Sequence, residues 1–170
     1  LGPVKNKPVL LKNGLLICPS STEGGAWRTH LEVTKDLGKT WSMIGPINEG
    51  KSIHTIQPSV LTYPDGKLQI LCRTQERTIA QSWSADNGKT WSEFKPTMLP
   101  NNNSGTDAVT LQDGRQLLVY NHVLPNDTLK KGKGLRTPLN VAISEDGKVW
   151  YAALVLEDSP ISQLSLIHIS

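Results

Sequence analysis

Charged and polar residues recur in this chain where apolar runs begin or end, and those are the residues that can do chemistry. Lys7, Gln57 and Asp107 each open such a run. Ser21, Arg73 and Asn121 each stand seven residues past a glycine (Gly14, Gly66, Gly114), with Glu23 and His122 close behind. Carboxylates in such places can take up and release protons. Guanidinium groups can hold anions through charge-assisted, often paired hydrogen bonds. Another guanidinium, Arg136, follows the basic stretch "LKKGKG" (129–134). A second set of carboxylates is written into a repeat. "TKDLGKTW" (34–41), "SADNGKTW" (84–91) and "SEDGKVW" (144–150) place Asp36, Asp86 and Asp146 at steps of 50 and then 60. Repetition at that period points to a structural unit before it points to a catalytic group.

The elements that must position these residues are strands. "KPVLLKNGLLICPSS" (7–21), "QPSVLTYPDGKLQILCRT" (57–74) and "DAVTLQDGRQLLVYNH" (107–122) each read as apolar run, turn, apolar run. Their turns carry Asn13-Gly14, Asp65-Gly66 and Asp113-Gly114. Such dipeptides tolerate the positive φ that a tight hairpin needs. A third run follows each hairpin ("WRTHLEVT", "TIAQSWS", "LNVAIS"), then the Asp/Gly turn. A short fourth strand is expected to open with or beside Trp41, Trp91 or Trp150. No long segment carries a helical apolar period. Four antiparallel strands in about 50 residues, three times over, match the size of a β-propeller blade. The predicted fold is all-β, with blades over about 5–50, 55–100 and 104–157. The third unit's long loop, "VLPNDTLKKGKGLRTP", accounts for the wider step. A β-sandwich is the competing architecture, but it does not call for a repeated turn at blade spacing.

The repeated residues are read as structural. In the turns of Thr34, Asp36, Gly38 and Trp41, of Ser84, Asp86, Gly88 and Trp91, and of Ser144, Asp146, Gly147 and Trp150, each residue has a task. The carboxylate accepts backbone N–H groups that a tight reversal leaves unpaired, and the hydroxyl ties the turn to its strand. Glycine supplies positive φ, and tryptophan covers the blade edge. Asp86→Ala is therefore expected to destabilise the fold while leaving ligand binding little changed. In a propeller the binding pocket lies at the other end of the central channel. There the strand-opening residues meet the ends of the second strands.

Bulk composition excludes several classes. The 170 residues carry 18 Lys plus Arg against 15 Asp plus Glu, without a basic face or stacking aromatics, so no nucleic-acid partner is expected. No apolar run is long enough for a membrane-spanning helix. Cys18 and Cys72 sit in apolar runs and read as buried free thiols. His30, His54, His122 and His168 lack ligand spacing, so neither a metal nor another cofactor is expected. The opening "LGPVKNKP" has no signal-peptide core and no initiator Met, which is expected of a fragment. "NNS" (102–104) and "NDT" (126–128) are glycosylation sequons only in a secreted eukaryotic chain.

The S-x-D-x-G-x-T-W wording at blade spacing resembles the Asp-box (BNR) repeat of the sialidase/neuraminidase superfamily. "NKPVLLKNG", "CPSSTEG", "IQPS", "LQILCR", "NSGTDAVTLQDGRQLLVYNH" and "RTPLNVA" look like the exo-α-sialidase subfamily in particular, over residues 1 to about 160. The resemblance implies a six-bladed propeller of which this chain supplies half, in a secreted or periplasmic parent. The ending 161–170, with "LSLIHIS", does not continue the pattern. The resemblance also implies a glycoside hydrolase acting on terminal acidic sugars. Asp107 would be the acid/base and Glu23 its partner carboxylate, with Arg73 and Arg136 clamping the sugar carboxylate. Lys7, Gln57, Asn121 and His122 would complete the substrate contacts. The family's triad of arginines and its Tyr–Glu pair are not visible in full, and Tyr120 stands one place before the strand-end position. Two alternatives follow: a non-catalytic propeller binding glycans or proteins, and an enzyme for uronic-acid or rhamnose-containing polysaccharide. Three blades alone are expected to be inactive, and two copies could close a six-bladed ring as a homodimer.

Overall fold

The computed structural model describes residues 5–124 and 136–159. The 161–170 ending, the basic stretch 129–134 and the second sequon lie outside the described residues. Among the described residues there are twelve strands in three four-stranded antiparallel sheets and no helix. The first sheet holds β1 (Val9–Leu10), β2 (Leu16–Thr22), β3 (Arg28–Thr34) and β4 (Ser42–Ile44). The second holds β5 (Thr55–Thr62), β6 (Leu68–Thr74), β7 (Thr78–Ser84) and β8 (Lys95–Pro100). The third holds β9 (Asp107–Thr110), β10 (Gln116–Asn121), β11 (Leu139–Ser144) and β12 (Tyr151–Glu157). Each sheet runs in sequence order, so each is one blade.

Two cores lie between the blades rather than within them. Alternation along the middle blade sorts its side chains between the two. Val60, Leu68, Ile70, Cys72 and Ala80 pack against Leu11, Ile17, Leu31 and Val33 of the first blade. Leu61, Leu71 and Ile79 pack against Ala108, Leu118, Ala142 and Trp150 of the third. Successive strand residues point to opposite faces, so a sheet covered on both sides needs an unbroken apolar run. In β6 every residue of "LQILC" is buried, and its one polar member, Gln69, donates to Gln81 Oε1 and the Gly147 carbonyl. Both cysteines are free and buried, and burial pushes the Cys72 thiol up to about 12, which leaves it inert. The far face of the third blade is apolar and open. Tyr151 and Leu154 on β12 are 63% and 57% exposed, where a further blade of a propeller would pack.

The repeated turns close the end of each blade between its third and fourth strands. Asp86 accepts the Thr90 backbone N–H at 2.9 Å, the Thr90 hydroxyl at 2.6 Å and the Ser84 hydroxyl at 2.8 Å. Ser84 Oγ in turn accepts the Gly88 N–H at 2.9 Å, and Trp91 Nε1 donates to the Gly88 carbonyl at 3.0 Å. Thr34, Asp36, Gly38, Thr40 and Trp41 repeat the same set. Hydrogen bonds from Thr40 or Thr90, then from Thr34 or Ser84, hold the Asp36 and Asp86 carboxyls at about 2. The third turn lacks the threonine, and Asp146 instead accepts the N–H groups of Lys148 and Val149. The fourth strand starts directly after Trp41 and Trp150, but in the middle blade it starts at Lys95. The connection after Trp91 is longer because Phe94 enters the first core.

Candidate functional site

At the opposite end of the blades, the start of β5 departs from regular pairing. Its ladder with β6 breaks between Ile56 and Ser59, where Pro58 has no N–H to give. Gln57 adopts φ +55 there. A bulge of this kind re-aims a side chain. Gln57 N donates to Ser21 Oγ of the first blade at 3.3 Å, and its carbonyl accepts Asn6 Nδ2 at 2.8 Å. Its side-chain oxygen accepts Arg73 Nη1 at 3.3 Å.

Arg73, near the end of β6, is half-buried and held on three sides. Besides Gln57, its Nε donates to Asn103 Oδ1 at 2.8 Å, and its guanidinium lies 5.3 Å from the Trp27 ring centroid. Nη2 carries no hydrogen bond among the described residues, so one edge of the fork is available to a ligand. Burial lowers the Arg73 pKa, the Arg136 charge lowers it further, and Glu23 opposes both. Arg136 and Glu23 therefore share the electrostatic neighbourhood of Arg73.

Asp107 opens β9 and faces the same mouth. Lys7 Nζ donates to its Oδ2, and Ser59 Oγ donates to its Oδ1 at 3.2 Å. Ser59 is buried and also accepts Asn6 Nδ2 at 2.8 Å and Ala108 N at 3.1 Å. One hydroxyl thus ties the first, second and third blades together. Between the inner strands lies a pocket of about 230 Å³ whose lining includes Lys7, Ser59 and Asp107.

Lys5 was not among the residues singled out by sequence. Its ammonium donates to Asn6 Oδ1 at 2.9 Å and to the Thr106 carbonyl at 2.7 Å. Burial, opposed by Asp107 and reinforced by Arg73 and Lys7, lowers its pKa to about 8. Lys5, Gln57 and Asn103 all hold positive φ. Uncommon backbone conformations of this kind gather at functional sites. A Cβ on Gly105 would come within 2.9 Å of Lys5 Cε, so a larger residue there would push the lysine side chain aside. Nothing in the sequence marks Lys5 over Lys7, because the turn that points it inward has no signature residue.

The strand-end residues of the third blade do other work. Asn121 is fully buried, and its Nδ2 donates to the carbonyls of Arg136 and Pro138. That Nδ2 positions the Arg136 segment, while Oδ1 is buried without a hydrogen-bond partner among the described residues. His122 is exposed, and its Nδ1 lies 2.6 Å from the Tyr120 hydroxyl. Tyr120 is itself a core residue. The assembled mouth carries Lys5, Lys7, Arg73 and Arg136 against Asp107 and Glu23. It suits an anionic ligand with a carboxylate at hand for proton transfer. No group of three or more His, Cys, Asp or Glu among the described residues could hold a metal ion.

A family model for the BNR repeat-like domain matches residues 1–166. The anhydrosialidase of Macrobdella decora is 30% identical over 137 residues, which is 81% of this chain and 16% of that protein. A protein of unknown function from Dyadobacter fermentans superposes with a TM-score of 0.70 at 20% identity, covering 90% of this chain and 41% of its own. The intramolecular trans-sialidase from Ruminococcus gnavus, solved with oseltamivir carboxylate, superposes with a TM-score of 0.63 at 20% identity, covering 91% and 34%. The chain thus spans less than half the length of each of these relatives. The structural likeness establishes the architecture: the three sheets are blades of a sialidase-type β-propeller.

Proposed function

The chain belongs to the BNR repeat-like family of the sialidase superfamily, and from that premise we propose that its mouth is part of a site that, in a whole propeller, binds and hydrolyses glycosides of acidic sugars. The carrying observation is the convergence of Arg73, Lys5 and Asp107 from three stretches of chain onto one polar mouth. The free edge of Arg73, with Arg136 and Lys5, receives the sugar carboxylate. A planar fork matches that group better than a point charge does. Once substrate displaces Lys7, Asp107 takes up a proton from solvent and gives it to the glycosidic oxygen as the bond to the anomeric carbon breaks. Water then adds its hydroxyl to that carbon and returns its proton to Asp107. Glu23 is the second carboxylate at the rim. Lys7 and Ser59 hold Asp107 in place until substrate arrives.

One observation favours a second reading. The Tyr120 hydroxyl is committed to His122 and the ring to the core, so it is not placed as a nucleophile activated by a carboxylate. A propeller with the anion clamp but without that pair would bind acidic glycans without cleaving them. A panel of sialosides and uronic-acid glycosides separates the two, with binding and turnover measured in parallel on the full-length propeller. For an enzyme, Asp107→Asn abolishes turnover and keeps binding, while Arg73→Ala weakens binding by roughly 10–100-fold, the worth of a charged hydrogen bond. Binding without turnover of any member identifies the scaffold, and no binding at all rejects the site.

A further inference from the structure

A second pocket, larger than the one beside Asp107, is not at the mouth. It lies at the opposite end, where the β5–β6 hairpin meets the repeated turns of the second and third blades, and has a volume of about 580 Å³. That falls within the roughly 300–1,000 Å³ of small-molecule pockets. Its lining includes Tyr63 and Trp83, half-buried, with ring centroids 5.1 Å apart and planes tilted by 38°. Asp65, Lys67, Asp146 and Lys148 stand around them.

Two features turn this pair into a platform. First, the polar tips of both rings are satisfied behind the surface. The Tyr63 hydroxyl donates to Gln69 Oε1, and Trp83 Nε1 donates to Gln81 Oε1 at 3.0 Å. Gln69, fully buried, donates to Gln81 Oε1 and to the Gly147 carbonyl, both at 2.9 Å. The rings are therefore fixed from behind, and their apolar faces are what the pocket offers. Second, the rim is charge-balanced. Lys67 pairs with Asp65 at 2.6 Å, and Lys148 shares the neighbourhood of Asp146. A balanced rim gives an anion no advantage, in contrast to the cationic mouth.

We propose that this junction is a second carbohydrate site, separate from the mouth, that takes a neutral pyranose. The C–H face of the sugar would lie on Tyr63 and Trp83, where weakly positive hydrogens meet the negative face of the rings. Its hydroxyls would bond to the carboxylates and ammonium groups of the rim. Because the rings are already held, little ordering is needed on binding.

The test uses the purified protein and neutral probes (lactose, maltotriose and cellotriose), followed by the Trp83 indole N–H resonance. At least one probe should shift that resonance saturably at millimolar concentration. Ala85→Arg places a long side chain in the pocket from an exposed turn position, so folding is kept, and it should raise Kd at least about tenfold. Arg73→Ala, at the mouth, should leave the titration unchanged. Trp83→Ala removes the platform and is checked against Ala85→Arg in case it also loosens the fold. Absence of a saturable shift with every probe, a shift that survives Ala85→Arg, or one that needs Arg73 would each overturn the proposal.

Discussion

Gly147→Ala is a sharp test of how the second and third blades lock together. Gly147 holds φ +71, and a Cβ there would overlap the Tyr63 hydroxyl and lie 2.5 Å from Gln69 Oε1. Left-handed backbone costs a residue with a Cβ about 1–2 kcal/mol. Forcing atoms into a filled space adds about 1–3 kcal/mol. Tyr63 could swing aside only by giving up its bond to Gln69, and a retreat of the turn would stretch Gln69 Nε2 from the Gly147 carbonyl. The expected loss is therefore about 2–5 kcal/mol. Gly66→Ala is the internal control. Its φ is +83 but nothing lies within 4 Å of the added Cβ, so only the backbone part remains. Urea denaturation of both variants isolates the packing part as their difference, about 1–3 kcal/mol. If Gly147→Ala were no less stable than Gly66→Ala, the close packing of that turn on Tyr63 would be refuted.

Other expectations are as direct. Ser59→Ala leaves Asn6 Nδ2 without one acceptor and loosens Ala108 N and Asp107, so urea denaturation should show a loss of about 1–3 kcal/mol. Lys5 has its pKa lowered from 10.5 to about 8, so the unfolded chain holds more protons between those values and the Lys5 contribution to stability rises with pH across them. Lys5→Met should remove that rise in thermal melts. Anion affinity at the mouth, read by calorimetry, should fall above about pH 8 as Lys5 loses its charge, and Lys5→Arg should carry the plateau to higher pH. Asp36 and Asp86 have carboxyls lowered from 3.8 to about 2. The stability they give is present above 3.8 and lost as pH falls through about 2, and Asp86→Ala should flatten that acid limb without changing glycan binding. Expressed by itself, the 170-residue chain should bind exposed-hydrophobe dye and self-associate in sedimentation through the open face of β12, and a dye-silent monomer would count against this.

The sequence was legible where the structural cause is local. Each repeated turn closes within itself, from the hydroxyl that opens it to the tryptophan that ends it. Residue types and spacings therefore carry the whole instruction, including the departure at Val149 in the third copy. The hairpin glycines are of the same kind: Gly14, Gly66 and Gly114 all take positive φ. The mouth is legible only in part. Arg73 and Asp107 show as polar residues at the borders of apolar runs, Arg73 after one and Asp107 before one. Lys5, Asn6, Ser59 and Asn103 reach their partners across blades, Lys5 to Thr106 over about a hundred positions. Asn121 shows the converse: a polar strand end whose Nδ2 is spent on the carbonyls of Arg136 and Pro138, a partnership its sequence position does not announce. Trp83 stands just before a repeated turn, and its pairing with Tyr63 depends on how the hairpin leans against the next blade.

The two ends of the blades therefore fail differently when altered, and the difference separates function from folding. At the turn end, and at Ser59 or Asn121 near the mouth, a side chain satisfies buried backbone or amide groups. Removing it strands those groups, and stability falls. At Arg73 the partners are the side chains of Asn103 and Gln57 at a polar, half-open mouth, where water can take the place of the lost donor. Arg73→Ala should then weaken anion binding far more than it weakens the fold. Ser59→Ala should do the opposite, although both residues lie in the same cluster. Comparing the two in one pair of assays, urea denaturation and anion titration, tests whether that cluster is a binding site built on a structural hub. Parallel losses in both assays for both variants would show that the mouth is only a blade junction.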